Sequence, residues 1–466
     1  MKVGHVISRV APTHAGFEFE LLEPGSVSVG DYVEVPVEEG ALLARVARVS
    51  AENPLLSEPG ILREHGAFGL KLPSAAALEL SETHIARAEA AGVVGEGGVL
   101  PPLRPPAPGS PVFKASGPAL SKLLGFAEEG VRLGRVWRSG VEVVLDPSKL
   151  LRHHVAVLGA TGSGKSYACG VIAEEALELG VSVVVVDPHG EYSTLGERYP
   201  TRVVRADRLA VEAGLVSPEA VAEAAEMTEV QRDLLYLAWQ EAEGPGIDDI
   251  LEAVRRVAAA YRFRRETVIA LERRLRMLKT YGVFSGGDVP LYVSEGECTV
   301  VDVGLGLPSH VTRALVGAIV WTLFEARKAG EAPPLVLVVD EAHRFLPIEE
   351  ESFAKTALRT VAREGRKFAA SLVVASQRAV GLDRDVLSQC GTKIALRMDS
   401  PTDIAALKPV LGSYARVLPH LPTGVALVSG VAVRYPVLVE VRERRTRHGG
   451  EGVGLQPRPR AEQSSA

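Results

Sequence analysis

The chain has 466 residues, enough for two or three domains, and its 46% hydrophobic and 24% charged content is ordinary for a globular protein. A net charge of −6 excludes a global basic field, so any contact with nucleic acid must come from local patches. Three distant cysteines, Cys169, Cys298 and Cys390, exclude a disulfide framework and a cysteine metal spacing. The first residues lack the apolar core of a signal peptide. The apolar stretch at residues 314–324 is shorter than the roughly 20 residues that cross a bilayer. The expectation is a cytoplasmic protein with no membrane segment.

Residues 1–100 begin with period-two alternation. Phe17-Glu-Phe-Glu-Leu21, Val27-Ser-Val29, Tyr32-Val-Glu-Val-Pro-Val37 and Leu43-Ala-Arg-Val-Ala-Arg-Val49 predict short strands. Strands this close together predict a small β-barrel, because closure removes exposed edges. The proline-rich residues 101–111 predict a stiff linker. Over residues 112–440, buried strands alternate with helices, which predicts an α/β fold with a parallel sheet covered on both faces. Residues 206–282 interrupt this rhythm with helical apolar spacing and predict a helical insertion. Residues 441–466 are basic, then rich in Gly, Pro, Gln and Ser, and predict a mobile tail.

The chemistry concentrates at the expected carboxyl ends of the strands, where such sheets bind ligands. Gly159-Ala160-Thr161-Gly162-Ser163-Gly164-Lys165-Ser166 follows the apolar run Val155-Ala-Val-Leu158 and precedes a helix. Glycines let its N–H groups turn inward on a phosphate, and the helix dipole adds to the pull. Lys165 would reach the β- and γ-phosphates of ATP, and Ser166 would hold Mg²⁺. Asp340 and Glu341 end the run Leu335-Val-Leu-Val-Val339. Asp340 would orient the water shell of Mg²⁺, and Glu341 would polarise the attacking water. Gln377 ends the next strand and suits a γ-phosphate sensor. Asp187-Pro-His-Gly-Glu191 closes another strand, placing Asp187 and Glu191 near the nucleotide or the metal, or simply ending the strand. Arg366 is either a cation that completes a neighbouring subunit's site or part of a surface charge cluster. His343 reads as a structural or relay residue.

Together these segments resemble the HerA family of DNA translocases, within the HerA–FtsK superfamily of P-loop ATPases. The pieces that carry the resemblance are the 159–166 loop, Val186-Asp-Pro-His-Gly-Glu-Tyr192, Val339-Asp-Glu-Ala-His343, Arg363-Glu-Gly-Arg-Lys-Phe368, Ser376-Gln-Arg378 and, in the β-rich front, Gly30-Asp-Tyr-Val33. The resemblance implies a RecA-like core, a homohexamer that threads double-stranded DNA, and a NurA-type nuclease partner in DNA end resection. It also implies a C-terminal segment that braces the adjacent subunit's nucleotide site. Residues 255–279 hold nine basic and two acidic residues, so as a helix they offer phosphates a basic stripe, or else form a solvated face. Arg442, Arg444, Arg445 and Arg447 would reach DNA or a neighbour. Two other readings are a motor for conjugation or type IV secretion, and a nucleotide-gated scaffold that assembles a nuclease without translocating.

Overall fold

A computed structural model of the chain describes residues 1–53, 81–206, 217–244, 246–283, 293–304 and 306–449. Parts of four expected segments lie outside the described residues: 54–80 of the front, 207–216 and 245 of the insertion, 284–292 and 305 of the α/β region, and 450–466 of the tail.

The front of the chain forms β1 (Lys2–Ile7), β2 (Gly16–Leu21), β3 (Tyr32–Val37), β4 (Gly40–Glu52), β5 (Thr83–Gly95), β6 (Gly98–Leu100) and β7 (Pro111–Lys114). The sheet order is β2-β1-β7-β3-β4-β5-β6, and β5 also pairs with β2, closing a six-stranded barrel. The alternation is real: Phe17, Phe19 and Leu21 point into the core while Glu18 and Glu20 point out. Val27-Ser-Val29 does not form the expected strand. Gly25 and Gly30, at φ +76 and +95, bend the chain on either side, although Val27 still packs into the core. β7 pairs with β1 and β3, so the barrel's chain continues past the proline-rich stretch to Lys114. Next come α1 (Gly117–Leu124), β8 (Val131–Val136) and β9 (Glu142–Leu145).

The motor strands begin at β10 (Val155–Leu158), followed by α2 (Lys165–Glu178), β11 (Ser182–Asp187) and β12 (Thr201–Arg205). Among the described residues, four helices form the helical region: α3 (Pro218–Ala224), α4 (Glu229–Glu241), α5 (Ile247–Ala260) and α6 (Arg265–Thr280). Then come β13 (Cys298–Asp302), α7 (Ser309–Ala329), β14 (Leu335–Val339), α8 (Phe353–Glu364), β15 (Ala370–Ser376) and α9 (Arg384–Gln389). The strands lie in the order β12-β13-β11-β14-β15-β10. The β12–β13, β13–β11, β11–β14 and β14–β15 pairs are parallel. β10, β11, β14 and β15 are buried at every position, as their unbroken apolar runs require of a sheet covered on both faces.

β16 (Thr392–Ala395), α10 (Pro401–Leu411), β17 (Val425–Gly430) and β18 (Val437–Val441) follow. β16, β17, β18, β8 and β9 pair antiparallel in that order. The chain divides into two compact units, Met1–Val155 with Gly391–Arg442 and Ala156–Cys390 with the chain from Glu443. Residues 112–440 are thus shared between them. Among the described residues no helix is long and apolar enough to cross a membrane.

Candidate functional site

The loop between β10 and α2 takes the shape its glycines permit. Gly162 and Gly164 adopt φ +72 and +103, a region that side-chain-bearing residues avoid. Ser163 Oγ donates to the Ala160 carbonyl at 2.7 Å and closes the turn from within. Lys165 is 6% exposed, and its Nζ donates to the same carbonyl at 3.4 Å. Gly159 N–H donates to the Ser376 carbonyl, which ties the loop to the end of β15.

β14 delivers Asp340 and Glu341 to the same edge. Asp340 is 1% exposed and accepts two hydrogen bonds, from Glu341 N–H at 2.7 Å and from the Tyr192 hydroxyl at 2.9 Å. Glu341 sits at φ +46, a conformation that costs a non-glycine residue roughly 1–2 kcal/mol. That turn aims its carboxylate back over the sheet edge toward Gln377.

Gln377 joins the two halves of the site. Its Oε1 accepts from Thr161 Oγ1 at 2.6 Å, and its Nε2 donates to Glu341 Oε1 at 2.6 Å. The tip of the loop is thus wired to Glu341 through one amide. His343 Nδ1 lies 3.2 Å from Glu341 Oε2 and 3.4 Å from Ser376 Oγ. Burial holds the His343 imidazole below its ordinary pKa, against the pull of Glu341, so at neutral pH the ring is uncharged and the contact is no ion pair. Its geometry is not that of a hydrogen bond, which leaves Glu341 Oε2 buried without a hydrogen-bond partner. An orphaned carboxylate oxygen beside a phosphate loop is suited to accepting a proton from water.

Asp187, Glu191 and Arg366 are not part of the Thr161–Gln377–Glu341 chain of hydrogen bonds. Asp187 is fully buried, and both oxygens serve its own turn. Oδ1 accepts from His189 N–H at 3.1 Å and Gly190 N–H at 2.8 Å, and Oδ2 from Tyr192 N–H at 3.0 Å. Burial raises its carboxyl pKa, opposed by those N–H groups. Glu191 lies beneath the chain at Gly449, where a Cβ would meet the Glu191 carbonyl at 2.9 Å. Arg366 is exposed in the short turn Gly365–Phe368, which precedes β15. It is therefore one strand length, about 20 Å, from the Gln377 edge. The arrangement keeps it out of this chain's own loop-and-acid cluster.

Two features were not read from the sequence. Tyr192 carries no recognisable signal beyond its place after Glu191, yet among the described residues it is the largest fully buried side chain and it bonds to Asp340. Residues 443–449 were expected to be mobile on their own and to reach outward. Instead they lie along α2. Fully buried Glu174 accepts from Arg445 N–H, Thr446 N–H and Thr446 Oγ1 at 3.0, 3.0 and 2.8 Å. Arg444 Nε is 3.5 Å from the same carboxylate, with a side chain only 1% exposed. Gly170 makes room for it, since a Cβ there would stand 2.7 Å from Arg444 Cζ. The signal available was two adjacent acids, Glu174 and Glu175, in the middle of an otherwise apolar helix. The basic stripe is also less free than its count suggested. Arg255 and Arg276 pair with Glu272, Lys279 pairs with Asp248, and Arg274 donates to the Ala225 carbonyl.

The loop N–H groups, a buried ammonium, a helix-terminal hydroxyl and hard carboxylate oxygens make a donor set that fits a nucleoside triphosphate with a divalent cation. Comparisons with known proteins agree. Residues 131–322 match the family model for the helicase HerA central domain. The DNA double-strand break repair helicase HerA of Pyrococcus furiosus is 28% identical over 96% of this chain and 95% of that protein. Its namesake from Sulfurisphaera tokodaii is 25% identical over 95% and 93%. Among solved structures, VirB4 of Thermoanaerobacter pseudethanolicus superposes with a TM-score of 0.57 at 18% identity, over 68% of this chain and 97% of that one. The plasmid coupling protein TrwB in complex with ADP and Mg²⁺ gives 0.51 at 15%, over 72% and 94%. These two likenesses bear on the fold, which is that of a RecA-like P-loop ATPase.

Proposed function

We propose that this chain, an ATPase of the helicase-translocase kind that uses ATP and Mg²⁺, is a HerA-type motor that moves double-stranded DNA independently of sequence, as a homohexamer, in end resection during double-strand break repair, with a NurA-type nuclease as partner. Lys165 and the 159–164 N–H groups hold the phosphates, and Ser166 and Asp340 serve the metal. When bound, Mg²⁺ neutralises charge on the β- and γ-phosphates. Glu341 takes the proton of the attacking water, and Gln377 reports the γ-phosphate to the loop tip. Arg366, at the far edge of the sheet, completes a neighbouring subunit's site.

The observation that carries this reading is the Thr161–Gln377–Glu341 hydrogen-bonded chain, which ends on an unpartnered carboxylate oxygen. It couples the presence of a terminal phosphate to the placement of a base. A motor for conjugation or secretion rests only on the fold shared with TrwB and VirB4. A scaffold that does not translocate would hydrolyse ATP without displacing DNA strands. ATP-dependent displacement of the third strand from a triplex decides the matter. Displacement by the wild-type protein and none by Lys165→Ala supports translocation, and ATP hydrolysis without displacement rejects it.

A further inference from the structure

We propose that Tyr192 is a positioning residue for the metal side of the site: its hydroxyl fixes the orientation of Asp340 and so sets how strongly Mg²⁺ is held with the nucleotide. The inference rests on the reading of Asp340 given above.

Three elements of the motor unit meet at this phenol. Its hydroxyl donates to Asp340 Oδ2 at 2.9 Å, at the end of β14. Cys169, on α2 one turn beyond Lys165 and Ser166, is buried near the same phenol. Its backbone N–H donates to Asp187 Oδ2, at the end of β11. The side chain is fully buried. Asp340 is held from the other side by Glu341 N–H. With one donor on each oxygen, the carboxylate has a single orientation and keeps its remaining lone pairs for the metal's shell. Groups that orient such ligands typically matter about as much as the ligands themselves.

This gives Asp187 a purpose its geometry alone does not declare. The carboxylate gathers three N–H groups of the following turn and thereby sets the point from which Tyr192 reaches Asp340. The order Asp187, turn, Tyr192, Asp340 is a brace running between adjacent strands.

Tyr192→Phe removes one oxygen and keeps the ring. In the full-length protein, ADP binding is measured by calorimetry as Mg²⁺ is raised from zero. The Mg²⁺ concentration that half-saturates the gain in ADP affinity rises about tenfold in the variant, while metal-free ADP binding is unchanged. Asp187→Asn, which loosens the turn, shifts the midpoint in the same direction and serves as the second variant if the first folds poorly. Combining Tyr192→Phe with Asp340→Asn gives no shift beyond that of Asp340→Asn alone. An unmoved Mg²⁺ midpoint in Tyr192→Phe, with or without a lowered Tm, overturns the inference. If Asp340→Asn itself leaves the midpoint unmoved, the reading of the site is what fails.

Discussion

Asp187 and Asp340 end adjacent parallel strands, with Val186 paired to Val339 across the sheet. Both follow an unbroken valine-rich run, both are buried, and both are followed by a sharp turn. In the turn after β11, the carboxylate is consumed by three backbone N–H groups, and burial still raises its pKa. In the turn after β14, one N–H and one phenol steady the aspartate, and the next residue is forced to φ +46, which turns a second, buried carboxylate toward Gln377 and leaves one of its oxygens without a hydrogen-bond partner. An acid at a strand's end is therefore not enough to mark a working group. What distinguishes the two turns is how many of the carboxylate's lone pairs the protein itself already satisfies.

The sharpest way to break this contrast is Glu341→Gln, which keeps the Gln377 contact and removes the base. Turnover should fall by about a hundredfold to ten-thousandfold while ATP still binds, read by phosphate release and by nucleotide titration. Activity within tenfold of wild type would end the assignment. Glu174 extends the comparison to a carboxylate that is wholly structural. Glu174→Gln leaves Arg444 buried without its counter-charge, so the motor unit should lose about 3 kcal/mol, a fall of roughly 6–12 °C in Tm by calorimetry. An unchanged Tm would mean that residues 443–449 do not grip α2 in solution.

Asp187→Asn keeps one acceptor oxygen, and its effect should fall between these classes. A decrease in kcat of about tenfold is expected, far short of the Glu341 loss. Equal loss in both variants would put Asp187 among the reacting groups and erase the distinction.

His343 supplies a smaller, pH-dependent test. Its pKa is lowered in the folded state, so it contributes stability that is complete above about pH 6.5 and lost as pH falls through the lowered value. Protonation would also place a cation against Glu341 Oε2. Turnover and Tm should both decline on that acid limb, and His343→Gln should flatten it. A limb of the same depth in the variant would assign the titration elsewhere. The smallest effect is expected from Arg273→Glu, an exposed member of the basic stripe. The slope of log DNA affinity against log salt should shallow by about one unit if the stripe lies on the DNA path. Arg274, bonded to a backbone carbonyl of α3's end, is unsuited to this test because its loss would disturb the fold.

The phosphate loop, β14 with its two acids, and Gln377 were legible because each is a local pattern: a glycine spacing, an apolar run, a polar residue at a strand's end. Asp187 and Asp340 were indistinguishable at that level. Their difference lies in backbone N–H groups, and every residue except proline carries one. Of the barrel's strands, β2, β3 and β4 announced themselves by alternation, whereas β1, β5 and β7 did not; four residues after a run of prolines, as in β7, carry no period. The segment 443–449 was misread because arginines in sequence suggest solvent. Nothing local reveals that a buried glutamate waits for them some 270 positions earlier.

That long reach has a consequence for how the protein is made. α2, which carries the phosphate loop at its start, holds a desolvated anion in its middle, and the groups that satisfy the anion are translated long after it. On the ribosome the nucleotide-binding unit stays incompletely neutralised until Thr446 has emerged. Messages cut short before that codon yield products in which buried Glu174 has lost three hydrogen bonds, a defect that quality-control proteases are well placed to detect.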